Sequence, residues 1–451
     1  MNRREFLQTG AGVLSAMLVL NPRTVFGYEA NSAVRVGLLG CGNRGSSVAE
    51  SFARNTSARV VALADLFSDN LAAGQDRFNK RNASLGQPPI DSKLLFRGPN
   101  CYEWLANSED LDLIQISTPP YFHVQHLEAA VAAGKHVYCE KPVGVDIAQA
   151  KRAFEIAKRV KPNQSVDVGF QCRNAPPIAA LAEKIKAGAL GRIVTACGNY
   201  NAPVSTEKKR AGEGQDEYRL RNWLWDRVLS GDILVEQNIH IIDLCNWMLG
   251  AHPVKATATG GRNVIMHYGD CWDNYQVDFT YPKDIHFSFT STQFGTDDVF
   301  DAGLKLFGAS GSASCRYAGP ITITGPNAWS WQDWKAIPAD SGIAANGAFL
   351  DNLEFADRDK ERTFIDSIVS GPAHNQIAEG VDTALSCMLG RMAGYEKHEV
   401  TWEQMLAEKE NWQLGFSLEQ FAQMTVSQWQ EHHDLGLSGL TPDQPVGLQR
   451  I

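Results

Sequence analysis

No C-x-x-C pair occurs among the nine cysteines (Cys41, Cys101, Cys139, Cys172, Cys197, Cys245, Cys271, Cys315, Cys387), and their number is odd. A zinc site or a disulfide framework is therefore not expected. Cations are in the minority, 42 Lys and Arg against 51 Asp and Glu, for a net charge of −9, and no basic stripe forms along the chain. Such a surface repels phosphate backbones, which excludes nucleic acid as a partner. Beyond Leu20 no apolar run approaches the length a bilayer demands. Internal repeats and low-complexity tracts are absent as well. What remains, 44% hydrophobic and 21% charged residues over 451 positions, is the composition of a globular chain large enough for two domains and a tail.

The one early apolar stretch lies in MNRREFLQTGAGVLSAMLVLNP. Arg3-Arg4, Phe6-Leu7, a short apolar run to Leu20 and then Pro22 have the layout of a charged n-region and an h-region. The stretch resembles a twin-arginine export signal. Residues 1–31 are accordingly expected to be a signal segment, cut between Gly27 and Ser32 or kept as a membrane tether, with the mature protein periplasmic or otherwise exported. Unbridged cysteines suit a protein that folds around a cofactor in the cytoplasm before leaving by that route.

Val34 to Gly45, VRVGLLGCGNRG, is an apolar run that gives way to three glycines. It reads as a buried strand turning into a helix. Gly40 makes the tight turn, Gly42 lets backbone approach a pyrophosphate and Gly45 allows close helix packing, with Asn43 and Arg44 between them. A second run, Ala58 to Ala64, ends in Asp65, about 20 residues further on, where a carboxylate accepts hydrogen bonds from a ribose 2′-OH. A 2′-phosphate would be repelled there, so NAD is favoured over NADP, while Arg44 brings a compensating charge near the phosphates. Leu111 to Ser117 and His136 to Cys139 read as further strands separated by a helix over Glu128 to Ala133 that Gly134 stops, and Ser165 to Phe170 as the last. Alternating strands and helices mean a parallel, doubly wound sheet with ligands at the carboxyl strand ends. Ser117-Thr118-Pro119 and Glu140-Lys141-Pro142 both fall there.

The glycine turn, Thr118-Pro119 with His123, and Glu140-Lys141-Pro142 together resemble the Gfo/Idh/MocA oxidoreductases over about Ala33 to Tyr395. The resemblance implies a Rossmann domain over 33–172 and an α+β domain with a mostly antiparallel open sheet over 173–398, followed by a helical and polar tail over 399–451. It places Ser117, Thr118, Pro119, His123, Glu140 and Lys141 at the cofactor, and it gives Lys141 contact with both nicotinamide ribose and substrate. It also implies homo-oligomerisation through the second sheet.

Gly231 to Gly250, GDILVEQNIHIIDLCNWMLG, carries the second group of reactive residues. A helix from Glu236 sets Glu236, His240, Asp243 and Trp247 on one stripe. The family pattern is matched at His240 and Asp243, but Asp232 and Asn238 replace glycines and Glu236 stands where aspartate is common. Oxidising a secondary alcohol needs a base for the hydroxyl proton, which His240 supplies near neutral pH. Lys141 then holds the substrate oxygen and Glu236 orients or charge-balances the pair. Arg173, Trp225 and Asp243 are the expected substrate contacts. His240 has no second histidine at metal spacing, so no metal is expected.

After Gly191 the strand-like runs are Arg192 to Asn199, Ala256 to Gly260, Asn274 to Thr280, His286 to Thr292 and Gly303 to Phe307. Trp223, Trp225, Trp272 and Tyr275 offer aromatic faces either to a sugar ring or to the core. Thr206 to Arg221 reads as a mobile loop at the cleft mouth, and Phe364 to Gly371, Ile377 to Tyr395 and Trp402 to Gln430 as helices. These features predict an exported NAD(H)-dependent oxidoreductase acting on a secondary hydroxyl of a carbohydrate or polyol, with its cofactor held tightly or recycled. One alternative is a glycosidase working by oxidation, elimination and reduction. The other is a non-catalytic sugar-binding protein on the same fold.

Overall fold

Apolar runs without polar alternation must be covered on both faces, and the first half of the chain builds its sheet from them. The computed structural model describes residues 33–203, 210, 212–295, 300–331, 351–353 and 355–421. The expected export segment, its expected processing interval, residues 206–209 and 211 of the predicted loop and the tail after Phe421 lie outside the described residues. In chain order come β1 (Val34–Leu39), α1 (Asn43–Asn55), β2 (Ala58–Asp65), α2 (Ser68–Ser84), β3 (Leu95–Arg97), α3 (Cys101–Asn107), β4 (Leu113–Ile116), α4 (His123–Ala132), β5 (His136–Cys139), α5 (Ile147–Ala157) and β6 (Val166–Val168). The six strands are parallel in the order β3-β2-β1-β4-β5-β6. The order reverses between β1 and β4, which opens the ligand crevice above their carboxyl ends.

The second region comprises α6 (Pro176–Lys186), β7 (Ile193–Ala202), α7 (Gln215–Arg221), α8 (Arg227–Ser230), α9 (Ile233–Glu236), α10 (Ile239–Leu249), β8 (Lys255–Gly261), β9 (Asn274–Tyr281), β10 (Ile285–Gln293), β11 (Asp301–Gly308), β12 (Gly311–Arg316), β13 (Thr322–Thr324) and β14 (Trp329–Ser330). Then follow α11 (Ala356–Val369), α12 (Ile377–Glu396), β15 (Val400–Thr401) and α13 (Trp402–Ala407). Nine strands form the sheet β14-β13-β12-β11-β7-β10-β9-β8-β15. All neighbours are antiparallel except β7 and β10. Residues alternate along β9 and β10 between a buried face (Val277, Phe279, Phe287, Phe289) and an exposed one (Gln276, Asp278, Ser288, Thr290), as a sheet packed on one side requires.

Three sequence expectations change. The helix expected from Glu236 is interrupted at Gln237-Asn238, so Glu236 closes α9 and His240 lies in the first turn of α10. The helix expected over Trp402 to Gln430 ends at Ala407, where Glu408 turns to ψ 151°. Thereafter the apolar side chains Leu414, Phe416, Leu418 and Phe421 pack onto the rest of the protein, and tertiary contact overrides helical propensity. Within the predicted loop, Gln215 to Arg221 is a helix fastened by Arg221 to Asp69 at the start of α2, 3.1 Å away. Among the described residues no helix is long and apolar enough to cross a membrane, and all nine cysteines are free thiols.

Helix α11 ties this second region back to the first through three side chains on one face. Asp357 pairs with Arg44, Lys360 with Asp167, and Glu361 accepts a hydrogen bond from Ser51 at 2.7 Å. Burial pushes the Glu361 carboxyl up to about 8, with neighbouring Asp357 adding to the rise. Because this folded value stands above the ordinary 4.5, the stabilisation from a protonated Glu361 is complete at acid pH and is lost as pH rises through about 8. Glu361→Gln is expected to flatten that part of the stability profile, measured as denaturation midpoints across the same range.

Candidate active site

The glycine turn separates local demands from a demand for a ligand. A Cβ on Gly40 would stand 2.6 Å from the Ser117 carbonyl oxygen, and one on Gly45 only 2.0 Å from that of Gly40. Both glycines are thus required by the fold, Gly40 also by its φ of +94°. A Cβ on Gly42 would meet nothing within 4 Å. That open space lies at the N-terminus of α1, where no side chain caps the helix and no acidic residue sits in its first turn. Free N–H groups and a helix dipole suit a pyrophosphate there, and Asn43 is exposed beside it. Gln115, buried in β4, donates to the Gly45 carbonyl at 2.9 Å and locks the turn.

Asp65 ends β2 beside this turn. Its carboxylate accepts the Cys41 N–H at 2.7 Å and the Phe67 N–H at 2.8 Å. Burial raises it to about 6 although those N–H groups oppose the shift. It remains largely ionised at neutral pH and keeps acceptor capacity for ribose hydroxyls.

At the end of β4, Ser117, Thr118 and Pro119 are half-buried. The Thr118 hydroxyl is 3.0 Å from Nδ1 of His126, a residue missed in the sequence. His126 follows His123 by one helical turn on α4, and that spacing was the available signal. His123 itself differs from expectation. Its ring nitrogens lie 2.7 Å from the Thr118 carbonyl oxygen and 2.9 Å from that of Pro142, so it clips two turns together and has no ring nitrogen left for a cofactor.

Arg44 is also redirected. Its guanidinium donates to Glu140 at 2.9 Å and to both oxygens of Asp357 at 3.1 and 3.3 Å. Glu140 has little freedom, since a Cβ on Gly169 would stand 2.4 Å from its Oε2. Arg44 thus braces the turn that carries Lys141 against α11. The role of Asp357, 313 residues away in sequence, had no local signal.

Lys141 and Glu236 meet as expected. The ammonium donates to Glu236 Oε1 and to the Glu236 carbonyl, both at 2.6 Å, with side chains only 12% and 9% exposed. Beside them His240 is buried, its ring stacked toward Tyr200 at 6.4 Å. Burial, reinforced by the positive charges of Lys141 and Arg44, holds its pKa well below the ordinary 6.5. Nδ1 is enclosed without a partner among the described residues. Glu236 is bound to Lys141 and makes no hydrogen bond to His240, so it balances the lysine and does not orient the imidazole.

The glycine replacements take different forms. Asp232 adopts φ +81°, a backbone that favours glycine. Its carboxylate compensates by accepting the Ile233 N–H at 2.6 Å and the Tyr395 hydroxyl at 2.7 Å. Asn238 is fully buried between Glu236 and His240, with neither amide atom hydrogen-bonded among the described residues.

The three expected substrate contacts are drawn into the framework. Arg173 grips Asp243 with two hydrogen bonds, 2.9 and 2.6 Å, and also pairs with Glu379. Trp225 is 1% exposed and packs edge-on against Tyr268. Asp243 is 1% exposed and also accepts the Thr383 hydroxyl at 3.1 Å. Among the described residues no group of three His, Cys, Asp or Glu side chains is arranged to hold a metal.

Known proteins share this fold. Residues 34–168 match the family described as "Oxidoreductase family, NAD-binding Rossmann fold", and residues 178–314 match the "GFO/IDH/MocA C-terminal domain". Inositol 2-dehydrogenase of Rhizobium meliloti (strain 1021) is 25% identical over 292 residues, covering 64% of this chain and 78% of that protein. A glycosyl hydrolase family 109 protein of Streptomyces niveus is 29% identical over 216 residues, covering 47% and 41%. The solved structure of levoglucosan dehydrogenase with NADH and levoglucosan superposes with a TM-score of 0.65 at 19% identity, covering 82% of this chain and all of that one. The chain therefore belongs to the Gfo/Idh/MocA oxidoreductases, with an NAD-binding Rossmann domain followed by the family's C-terminal domain.

Proposed function

We propose that this enzyme oxidises a secondary hydroxyl of a carbohydrate or polyol with NAD, which supplies the hydride acceptor when bound. The observation that carries this reading is the buried Lys141–Glu236 pair beside a neutral His240 at the carboxyl edge of the parallel sheet. Lys141 has a donor left for the substrate oxygen and stabilises negative charge developing on it. His240 Nε2 removes the hydroxyl proton. Glu236 fixes the ammonium from below, and Arg44, through Glu140, fixes the turn on which Lys141 sits. The names of relatives, inositol and levoglucosan dehydrogenases, support a polyhydroxylated substrate.

The test is single turnover. NAD-loaded protein mixed with a panel of polyols, aldoses and anhydrosugars is expected to show rapid formation of NADH absorbance with at least one of them. No NADH from any, together with no sugar reduction by NADH-loaded protein, would overturn the reading. At saturating NAD, log(kcat/KM) is expected to stay flat down through pH 6.5 and to fall only below it, because a base with a lowered pKa stays unprotonated further into acid.

A second reading rests on relatives named glycosyl hydrolase family 109 proteins. In it the same groups oxidise a glycoside hydroxyl, the aglycone leaves by elimination, water adds across the resulting double bond and the ketone is reduced again, with no net change in NAD. Aglycone release from nitrophenyl glycosides without accumulation of NADH distinguishes it. We further propose export through Arg3-Arg4, tested by Arg3→Lys with Arg4→Lys, which should leave the protein in the cytoplasm. Self-association through the outer face of the nine-stranded sheet is proposed too, tested by solution mass.

A further inference from the structure

The segment after α13, residues 408–421, crosses the carboxyl edge of the parallel sheet without regular structure until a short 3-10 turn at Leu418–Phe421. Its contacts follow the order of the strands. The Glu410 carbonyl accepts the Ala148 N–H at 3.0 Å, and the Trp412 N–H donates to Asp146 at 2.8 Å, both at the start of α5, the helix that follows β5. The Trp412 carbonyl accepts the Tyr121 hydroxyl at 3.4 Å, just beyond β4. Phe421 packs edge-on against Phe67 at 5.9 Å, just beyond β2 and two residues from Asp65. In the sheet these strands stand in the order β5, β4, β1, β2. A dinucleotide lies over those strand ends, with its adenosine ribose at the acid that closes β2.

A second layer backs the segment from outside. Arg219 of α7 donates to the Leu414 carbonyl at 3.2 Å, and Gln420 donates to Asp216 at 3.1 Å. Arg221 lies over the Phe67 ring at 3.9 Å and pairs with Asp69. The apolar filling between the layers is a small cluster, Phe122, Leu220, Leu229 and Leu414, separate from the main core. A cluster of that size can open without unfolding the domain.

We propose that residues 408–421, held down by α7, form a clasp over the adenosine end of the cofactor groove and retain NAD between turnovers. The clasp contributes no group to the hydride step and acts on cofactor exchange alone. This inference rests on the NAD-dependent reading above and adds the structural element that would keep the cofactor in a compartment poor in NAD.

Its test measures nucleotide release from the full-length protein. Protein loaded with radiolabelled NAD is chased with excess unlabelled NAD, and retained label is followed over time for wild type, Leu414→Ala and Phe421→Ala. Release is expected to quicken at least tenfold in each variant. Equal rates in wild type and folded variants would overturn the clasp. Hydrogen–deuterium exchange of wild type provides a measurement that no folding defect can confuse. Peptides from 408–421 are expected to exchange faster than those of the parallel sheet and to slow on NAD addition, and no change with NAD would overturn the proposal. If release quickens but no sugar is ever oxidised, the clasp stands and the substrate reading falls. A wild-type protein that neither carries nor takes up NAD overturns both.

Discussion

Lys141→Ala is expected to bind NAD and to lower kcat by about 10^2 to 10^3-fold, the range lost when a preorganised donor to developing oxyanion charge is removed. The cofactor is expected to stay bound because the glycine turn and Asp65, the proposed pyrophosphate and ribose contacts, lie elsewhere. The ammonium is directed by two contacts with Glu236 at 2.6 Å, so its deletion also strands a carboxylate that is almost enclosed. Glu236→Gln in the same background should then recover stability but no activity, which separates the two consequences. Single-turnover rates and equilibrium NAD binding read them independently. A variant that keeps wild-type turnover would remove Lys141 from the reaction and favour the non-catalytic, sugar-binding alternative.

What was legible in sequence was local. The glycine turn, Asp65, Thr118, Glu140 and Lys141 sit within a few residues of strand ends, and the continuous apolar runs located those ends. The strand-like runs at Asn274 to Thr280 and His286 to Thr292 marked the second sheet equally well. What escaped was long-range commitment of polar groups. Arg44, Arg173 and Asp243 are unpaired charges on paper, and a ligand is then the natural partner to assign them. In the fold each finds carboxylate or guanidinium partners tens to hundreds of residues away, and such pairs follow from topology, which no window of sequence contains. The break at Gln237-Asn238 was hidden for a related reason. Ile233, Leu234, Val235, Ile239, Ile241 and Ile242 are all buried, so an uninterrupted apolar run supports one long helix or two short ones equally.

Lys360→Met is expected to destabilise the protein by about 3 to 5 kcal/mol, the loss typical when one partner of a buried ion pair is deleted. Lys360 on α11 and Asp167 on β6 are 1% and 2% exposed and hydrogen-bonded to each other. Burial alone would raise the Asp167 carboxyl, but Lys360 and His374 outweigh it and hold the carboxyl below its ordinary value. Without the ammonium, Asp167 keeps the His374 ring, 3.7 Å away and on one side. The loss should be largest at neutral pH and shrink on acidification, because an unpaired buried Asp167 takes up a proton more readily than the paired one. Lys360→Met combined with Asp167→Leu should recover most of the loss, since an apolar pair of similar volume leaves no charge unsolvated. Urea midpoints for the single and double variants decide between a pair that holds α11 against the parallel sheet and one that merely tolerates burial. The outcome bears on the active site, because the same face of α11 carries Asp357 to Arg44 and so braces the turn that presents Lys141.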